Sequence, residues 1–197
     1  MPEKDIIIVH GKPPEARYKN PELSKPHEAN WLPWLQTNLA MRGISASIPA
    51  MPKPYSPVYS DWRNTFEQQL TNRPLGLVGH SAGAEFILRW MSENPTVELE
   101  NLALVAPWRD EAGKYGDFSR YRFDTNIPER VHGGMTIYHS TDDSEPIQKN
   151  VHRLLGMTSS NVHLRGYTDQ GHFMLGNNMT SQDFPDLLAE LIDDHQA

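Results

Sequence analysis

The chain has 197 residues, of which 38% are hydrophobic and 9% aromatic, and this composition fits one globular domain with a substantial core. Its formal net charge of −7 and its lack of a basic run argue against a nucleic-acid backbone as a partner. No apolar stretch approaches the ~20 residues of a spanning helix. The four apolar residues Ile6–Val9 are too few for a signal-peptide core. We therefore expect a cytoplasmic protein that works without a membrane.

The chain contains no cysteine, which excludes disulfides, a thiolate nucleophile and cysteine-ligated zinc. Its nine histidines are scattered along the sequence and do not show the HExxH spacing of zinc-dependent hydrolases. We accordingly predict neither a metal nor any other cofactor.

Apolar runs alternate with helical patterns along the whole chain. The strand candidates are Ile6–Val9, Ile44–Ile48, Leu75–Val78, Leu102–Val105, Met135–Tyr138 and Val162–Leu164. Helical patterns follow Asn30 and Asp61, start at Ala82, and cover Gln148–Leu155 and Asp183–Ile192. Such alternation is typical of βαβ units. The sequence predicts a single α/β domain over residues 1–197, with a mostly parallel sheet of about six strands, helices on both faces and no separate cap domain.

Two irregular segments are candidate walls of a binding site. The Pro49–Pro57 stretch cannot be a helix or a central strand, because proline lacks the amide donor that both require. The Pro107–Arg130 segment carries five aromatic residues. It is either a binding element or a surface loop that packs its own aromatic side chains.

The pentapeptide Gly79-His80-Ser81-Ala82-Gly83 follows one predicted strand and precedes a predicted helix. This is the setting of a nucleophile elbow, in which a serine projects from a tight turn and small neighbours avoid steric clashes. The pattern predicts Ser81 as a nucleophile at a helix N-terminus and places the domain in the α/β-hydrolase class. The amide of Ala82 would then face the negative charge that develops on the substrate.

A serine nucleophile needs a histidine base and a carboxylate, which follow it in this order along such a chain, each after a strand. His172 lies in a loop after the last predicted strand and is our predicted base. Asp142 and Asp143 follow Met135–Tyr138, and spacing alone does not distinguish them. The second oxyanion amide is expected after the first strand, at Lys12.

Residues next to these positions are candidates for the substrate pocket, namely His10, His80, Trp108 and Phe173. His132-Gly133-Gly134 looks like the oxyanion motif of lipases, but it lies after the nucleophile and before a strand. We interpret it as a turn.

With these residues in place, the chain resembles the small serine hydrolases related to retinoblastoma-binding protein 9. The likeness spans nearly the whole length and rests on the following elements: the HG start at His10-Gly11, WLPWL at Trp31–Leu35, MPKP at Met51–Pro54, DW at Asp61-Trp62, GHSAG, STDD at Ser140–Asp143 and DQGHF at Asp169–Phe173. The resemblance implies that the second aspartate of STDD, Asp143, is the triad acid. This chain departs from the family at His139, where glycine is common, and at Ser144, where proline is common.

The sequence therefore predicts a serine hydrolase that cleaves a small carboxylic ester or amide through an acyl-enzyme on Ser81, with His172 and Asp143 completing the triad. The alternative is a binding protein that keeps the fold without turnover. The predicted partner is a small-molecule ester or amide substrate, with no nucleic acid and no membrane, and the sequence does not indicate whether a protein partner exists.

Overall fold

A parallel sheet of six strands lies at the centre of the computed structural model, which describes residues 4–156 and 160–192. The strands are β1 (Asp5–Val9), β2 (Ser45–Ser47), β3 (Leu75–His80), β4 (Asn101–Val105), β5 (Met135–Ser140) and β6 (Val162–Tyr167). Their order across the sheet is β2-β1-β3-β4-β5-β6, and every neighbouring pair is parallel. The predicted α/β architecture with about six strands is confirmed.

Helices cover both faces of the sheet. They are α1 (Glu15–Lys19), α2 (Leu32–Ala40), α3 (Tyr59–Glu67), α4 (Ala82–Glu93), α5 (Glu145–Leu155) and α6 (Pro185–Ile192). Helices α2 and α6 contact each other, as do α3 and α4. Among the described residues, the long segment between β4 and β5 contains only one short helical turn, Pro128–Arg130, and no cap domain.

The core explains why the central strands are almost continuously apolar. Strands β1 and β4 are buried along their whole length, which is the pattern of a parallel sheet with helices on both faces. On the α3–α4 face, Phe86 contacts Trp62 and Phe66. On the α2–α6 face, Trp31 packs edge-on against Phe184.

The register of the sheet brings three loops to one edge. Val9 pairs with Gly79, His80 with Val105, and Ser140 with Tyr167, so the carboxyl ends of β1, β3, β4, β5 and β6 meet there. Ligands of open α/β sheets bind at this edge. The turn after β3, the loop after β5 and the loop after β6 therefore converge.

Some local predictions were incomplete or wrong. The five-residue helix α1 is absent from the predicted helices, because it is too short to show helical periodicity. Asn30, after which the first helical pattern was predicted, does not cap α2: it adopts φ 58°, and its side chain accepts a hydrogen bond from the amide of Leu175. Two-residue strands β7 (Met174–Leu175) and β8 (Asn178–Met179) also went unpredicted.

Within the described ranges, no helix combines the length and the apolar character that crossing a bilayer requires.

Candidate active site

Ser81 lies on the tight turn between β3 and α4. Its backbone adopts φ 54° and ψ −117°, a conformation that residues with side chains rarely occupy. The Ser81 amide donates to the carbonyl of Val105 at 2.9 Å, while its own carbonyl accepts from the amides of Ala84 at 3.1 Å and Trp108 at 3.2 Å. Hydrogen bonds from both sides of the turn thus hold the strained residue in place.

Two glycines make this turn sterically feasible. A Cβ atom at Gly83 would lie 2.1 Å from the carbonyl oxygen of Val9, and one at Gly79 would lie 2.5 Å from the Cα of Ala84. Neither position can therefore carry a side chain without a backbone shift. The close approach of α4 to β1 depends on Gly83 in particular.

The side chains of Ser81, His172 and Asp143 form an unbroken chain of hydrogen-bonding distances. His172 Nε2 lies 2.9 Å from Ser81 Oγ, and His172 Nδ1 lies 2.7 Å from Asp143 Oδ2. A neutral imidazole that donates from Nδ1 to a carboxylate accepts a proton at Nε2. The arrangement therefore has the connectivity that a histidine base needs to deprotonate a serine.

Asp142 faces away from the imidazole. Its carboxylate accepts from the amide of Gly171 at 2.9 Å and from the side-chain amide of Asn178 at 2.6 Å. The hydroxyl of Ser140 and the amide of Asn178 lower the pKa of this carboxyl. Asp142 thus ties the loop after β5 to the His172 loop, whereas Asp143 is the aspartate beside the His172 ring.

The loop after β1 lies directly against Ser81. A Cβ atom on Gly11 would come 3.0 Å from the Cβ of Ser81, and Lys12 lines both clefts next to the serine. Ala82 is the first residue of α4, where backbone amides have no partner within the helix. The two predicted oxyanion residues, Ala82 and Lys12, therefore flank Ser81.

Two buried histidines lie behind the site. Burial and the neighbouring His172 lower the pKa of His80 to about 3. Its Nε2 lies 2.9 Å from the carbonyl oxygen of His172. Burial likewise lowers the pKa of His10 to about 4, and the amide of Met51 donates to its Nε2 at 3.1 Å. Both rings are therefore neutral at pH 7 and stabilise the backbone around the site.

Two clefts of unequal size meet at Ser81 and His172. The small cleft, of about 50 Å³, is lined by Gly11, Lys12, Pro13, Arg17, Pro26, Ala29, Asn30, His80 and Met174. The large cleft, of about 530 Å³, is lined by Lys12, Trp108, Asp142, Asp143, Ser144, Ile147 and Asn177. A substrate with its scissile carbonyl at Ser81 could thus place a small substituent in the small cleft and a larger one in the large cleft.

The pocket candidates separate into two groups. His80 lines the small cleft and Trp108 the large one. Phe173 does not line either cleft, because it is buried in the core and stacks on Phe184. His10 is also buried and lines neither cleft, since its ring bonds to the Gly11 carbonyl and the Met51 amide. Phe173 and His10 therefore lie outside the two clefts that meet at Ser81.

An ionic pair beneath the site went unpredicted. Glu85, one turn after Ser81 in α4, is fully buried and accepts a hydrogen bond from Arg109 at 2.7 Å. Burial raises the pKa of Glu85 to about 7, against the opposing effect of Arg109. Arg109 also donates to the carbonyl of Ser119 at 2.8 Å, which fastens the loop that carries Trp108. The sequence signal that could have revealed this pair is a single carboxylate in the otherwise apolar first part of α4.

No group of three or more His, Asp or Glu side chains with a metal-binding arrangement occurs among residues 4–156 and 160–192.

The chain belongs to the serine hydrolase family, whose model matches residues 20–150, more than half of its length. The matched region contains Ser81 and Asp143 and ends before His172. A comparison with curated protein sequences gives no match.

Several solved structures share the fold at low sequence identity. The ydeN gene product from B. subtilis is 22% identical, has a TM-score of 0.71, and is matched over 96% of both chains. An α/β serine hydrolase without a lid from Xanthomonas campestris is 16% identical with a TM-score of 0.61, over 96% of this chain and 80% of that one. Mouse alpha/beta hydrolase domain-containing protein 10 is 11% identical with a TM-score of 0.62, over 95% and 87% respectively.

Proposed function

We propose that the protein hydrolyses a small carboxylic ester or amide by acyl transfer through Ser81. One observation carries this proposal: His172 lies 2.9 Å from Ser81 Oγ and 2.7 Å from Asp143 Oδ2. Ser81 itself lies on a strained turn at the edge of the sheet where ligands of open α/β sheets bind. Membership of the serine hydrolase family supports the reaction class. We also propose the more specific relationship to the small serine hydrolases related to retinoblastoma-binding protein 9.

In the acylation step, His172 Nε2 takes the proton of Ser81 Oγ while the oxygen attacks the substrate carbonyl carbon. Asp143 holds the imidazole and stabilises its cationic form. The negative charge that develops on the carbonyl oxygen would be stabilised by the amides of Ala82 and Lys12. Collapse of the tetrahedral intermediate breaks the bond to the alcohol or amine, which leaves with the proton from His172.

In the deacylation step, His172 takes a proton from water, and the resulting hydroxide attacks the acyl-serine carbonyl. The second intermediate collapses to the carboxylic acid, and Ser81 Oγ regains its proton from His172. Water reaches this site because the large cleft is open and no cap domain lies over it within the described residues. The protein's own side chains thus supply every proton transfer in the cycle.

A fluorophosphonate probe and a short-chain 4-nitrophenyl ester together test the nucleophile. We expect the native protein to be labelled once and to turn the ester over, and Ser81→Ala to lose both properties. Ser56→Ala is the matched control, because Ser56 is an exposed serine that lines neither cleft. It should label and react as the native protein does.

The proposal fails if Ser81→Ala is labelled as readily as the native protein. Labelling of Ser81 without turnover of any ester or amide would favour the binding-protein alternative. Mass spectrometry of the labelled peptide distinguishes Ser81 from any other serine.

A further inference from the structure

The small cleft beside Ser81 has a distinctive charge. Of the residues that the structure describes, Arg17 and Lys12 line it and no acidic residue does. In a chain with a net charge of −7, a cleft at Ser81 that is lined by two cations and by no described carboxylate is unexpected, although Lys12 also borders the large cleft. The acidic residues at the site, Asp142 and Asp143, line the large cleft on the other side.

Among the described residues, no carboxylate lies within ion-pair distance of Arg17 or Lys12, although Lys19, on the same short helix as Arg17, pairs with Glu15 at 2.6 Å. Arg17 is half-buried rather than extended into solvent. Lys12 is held with its ammonium 4.7 Å from the centre of the Tyr115 ring, a contact that orients the side chain but leaves its charge unpaired.

The wall of the small cleft also contains the apolar residues Pro26, Ala29 and Met174, beside the polar residues Asn30 and His80. The cleft's volume of about 50 Å³, against about 530 Å³ for the large cleft, suits a short substituent rather than a long one. A guanidinium is the side chain best suited to binding a carboxylate through two parallel hydrogen bonds. The cleft therefore combines room for a short carbon chain with positive charge in its wall.

We propose that the substrate carries a free carboxylate, which Arg17 and Lys12 bind in the small cleft, separated from the scissile carbonyl by a chain of a few carbon atoms. This inference rests on the proposed function, because it assigns a substrate class to the same nucleophile. It goes beyond that function by predicting that a negatively charged small ester or amide is preferred over its neutral counterpart.

Two matched substrate pairs test the proposal. Monoethyl glutarate and ethyl 4-carbamoylbutanoate differ only in a carboxylate or an amide at the end of the acyl arm. The pair 3-acetoxypropanoate and 3-acetoxypropanamide does the same for the alcohol arm. The readout is the ratio of kcat/KM for the anionic member to that for the neutral member, measured by NMR at constant ionic strength.

We expect the native protein to prefer the anionic member of at least one pair, and Arg17→Gln to lower that ratio by about 10- to 100-fold, the range for a hydrogen-bonded charge pair. Arg17→Lys keeps the charge but loses the two parallel hydrogen bonds, so it should restore only part of the preference. Lys19→Gln removes one charge from the same helix but leaves the cleft intact, so it should leave the ratio unchanged.

The proposal is overturned if both ratios are near one in the native protein, or if Arg17→Gln and Lys19→Gln change them equally. Failure of the proposed function looks different, because no substrate would then be turned over in a Ser81-dependent manner. In that case, calorimetric binding of monoethyl glutarate to Ser81→Ala and to the Ser81→Ala/Arg17→Gln double variant decides the matter. Binding that depends on Arg17 supports the carboxylate site, and equal or absent binding refutes it.

Discussion

Asp142 and Asp143 are adjacent in the chain, but their carboxylates point to different partners. Asp143 Oδ2 lies 2.7 Å from His172 Nδ1, whereas Asp142 accepts from the backbone of Gly171 and the side chain of Asn178. One aspartate therefore contacts the proposed base directly, and its neighbour positions the loop that carries the base. This division of roles gives two variants with distinguishable outcomes.

We expect Asp143→Asn to lower kcat by about 10³- to 10⁴-fold with little change in KM. The asparagine would no longer stabilise the imidazolium and would favour the wrong tautomer of His172. Steady-state kinetics on a short-chain ester measure this effect. The fold should be retained, because Asn fills nearly the same volume.

Asp142→Asn is the matched control for this prediction. It weakens two hydrogen bonds of the His172 loop but leaves the Asp143–His172 contact, so we expect a decrease in kcat of about tenfold or less. If the Asp142 variant lost more activity than the Asp143 variant, the assignment of the triad acid would be reversed.

The sequence contained most of the information that places the site. Strand and helix patterns around Gly79–Gly83 predicted the elbow, and the chain order predicted that loops after β5 and β6 would supply the acid and the base. Spacing could not separate Asp142 from Asp143, because two consecutive loop residues point in directions that only the backbone turn decides. The resemblance to a known family favoured Asp143, the aspartate that the structure places beside His172.

Other features depended on contacts that local patterns do not encode. Phe173 follows the proposed base, yet its φ of 53° turns the ring into the core against Phe184. The partner of Glu85 is Arg109, 24 residues away, and such a pair is visible only after folding. Arg17 became a candidate substrate-binding residue only when the structure placed it in a cleft with Ser81.

The helix–strand contact at Gly83 predicts a large loss of stability on substitution. In Gly83→Ala, the new methyl group would lie 2.1 Å from the Val9 carbonyl oxygen, so α4 must move away from β1. We expect the free energy of unfolding to fall by about 3 kcal/mol or more, as overpacking of a rigid core does at its upper end. Urea denaturation followed by circular dichroism measures the change.

Gly156→Ala provides the comparison, since Gly156 follows α5 with φ −71° and a Cβ there would come no closer than 3.3 Å to its neighbours. Its effect should stay within about 0.5 kcal/mol. Equal stabilities of the two variants would contradict the tight approach of α4 to β1.

The buried histidines predict that stability falls as the solution becomes acidic. His10 and His80 have folded-state pKa values of about 4 and about 3, below the ordinary value of 6.5. The unfolded chain therefore takes up two protons below pH 6.5 that the folded protein does not. Glu85, raised to about 7, acts in the opposite direction, because only the folded protein is protonated there between pH 7 and 4.5.

The two histidines give the unfolded chain two additional protons and Glu85 gives the folded protein one, so the unfolded chain binds about one proton more. The free energy of unfolding therefore falls by about 1.4 kcal/mol per pH unit as the pH decreases from 6 to 5. Urea denaturation at several pH values gives this slope. In Glu85→Gln the opposing group is absent, so the slope should approximately double. A slope that is flat in the native protein and unchanged in this variant would refute the assignment of these protonation states.

Trp108 predicts a selective effect on substrate binding. It lines the large cleft together with Ser81, and its ring lies 5.8 Å from that of Tyr115 in an edge-on arrangement. An aromatic substituent of the substrate in this cleft would pack against the indole, an interaction that contributes about 1.5 kcal/mol with the associated burial. We therefore expect Trp108→Ala to raise KM for aromatic esters by about tenfold and to change kcat by less than threefold.

Acetate esters of small aliphatic alcohols should show a much smaller change in KM, because they do not reach the indole. Trp108→Phe retains an aromatic face and should recover most of the affinity. Because the hydrogen bond from the Trp108 amide to Ser81 belongs to the backbone, both variants keep the nucleophile turn. A uniform loss of kcat for aromatic and aliphatic esters alike would instead assign Trp108 to support of that turn.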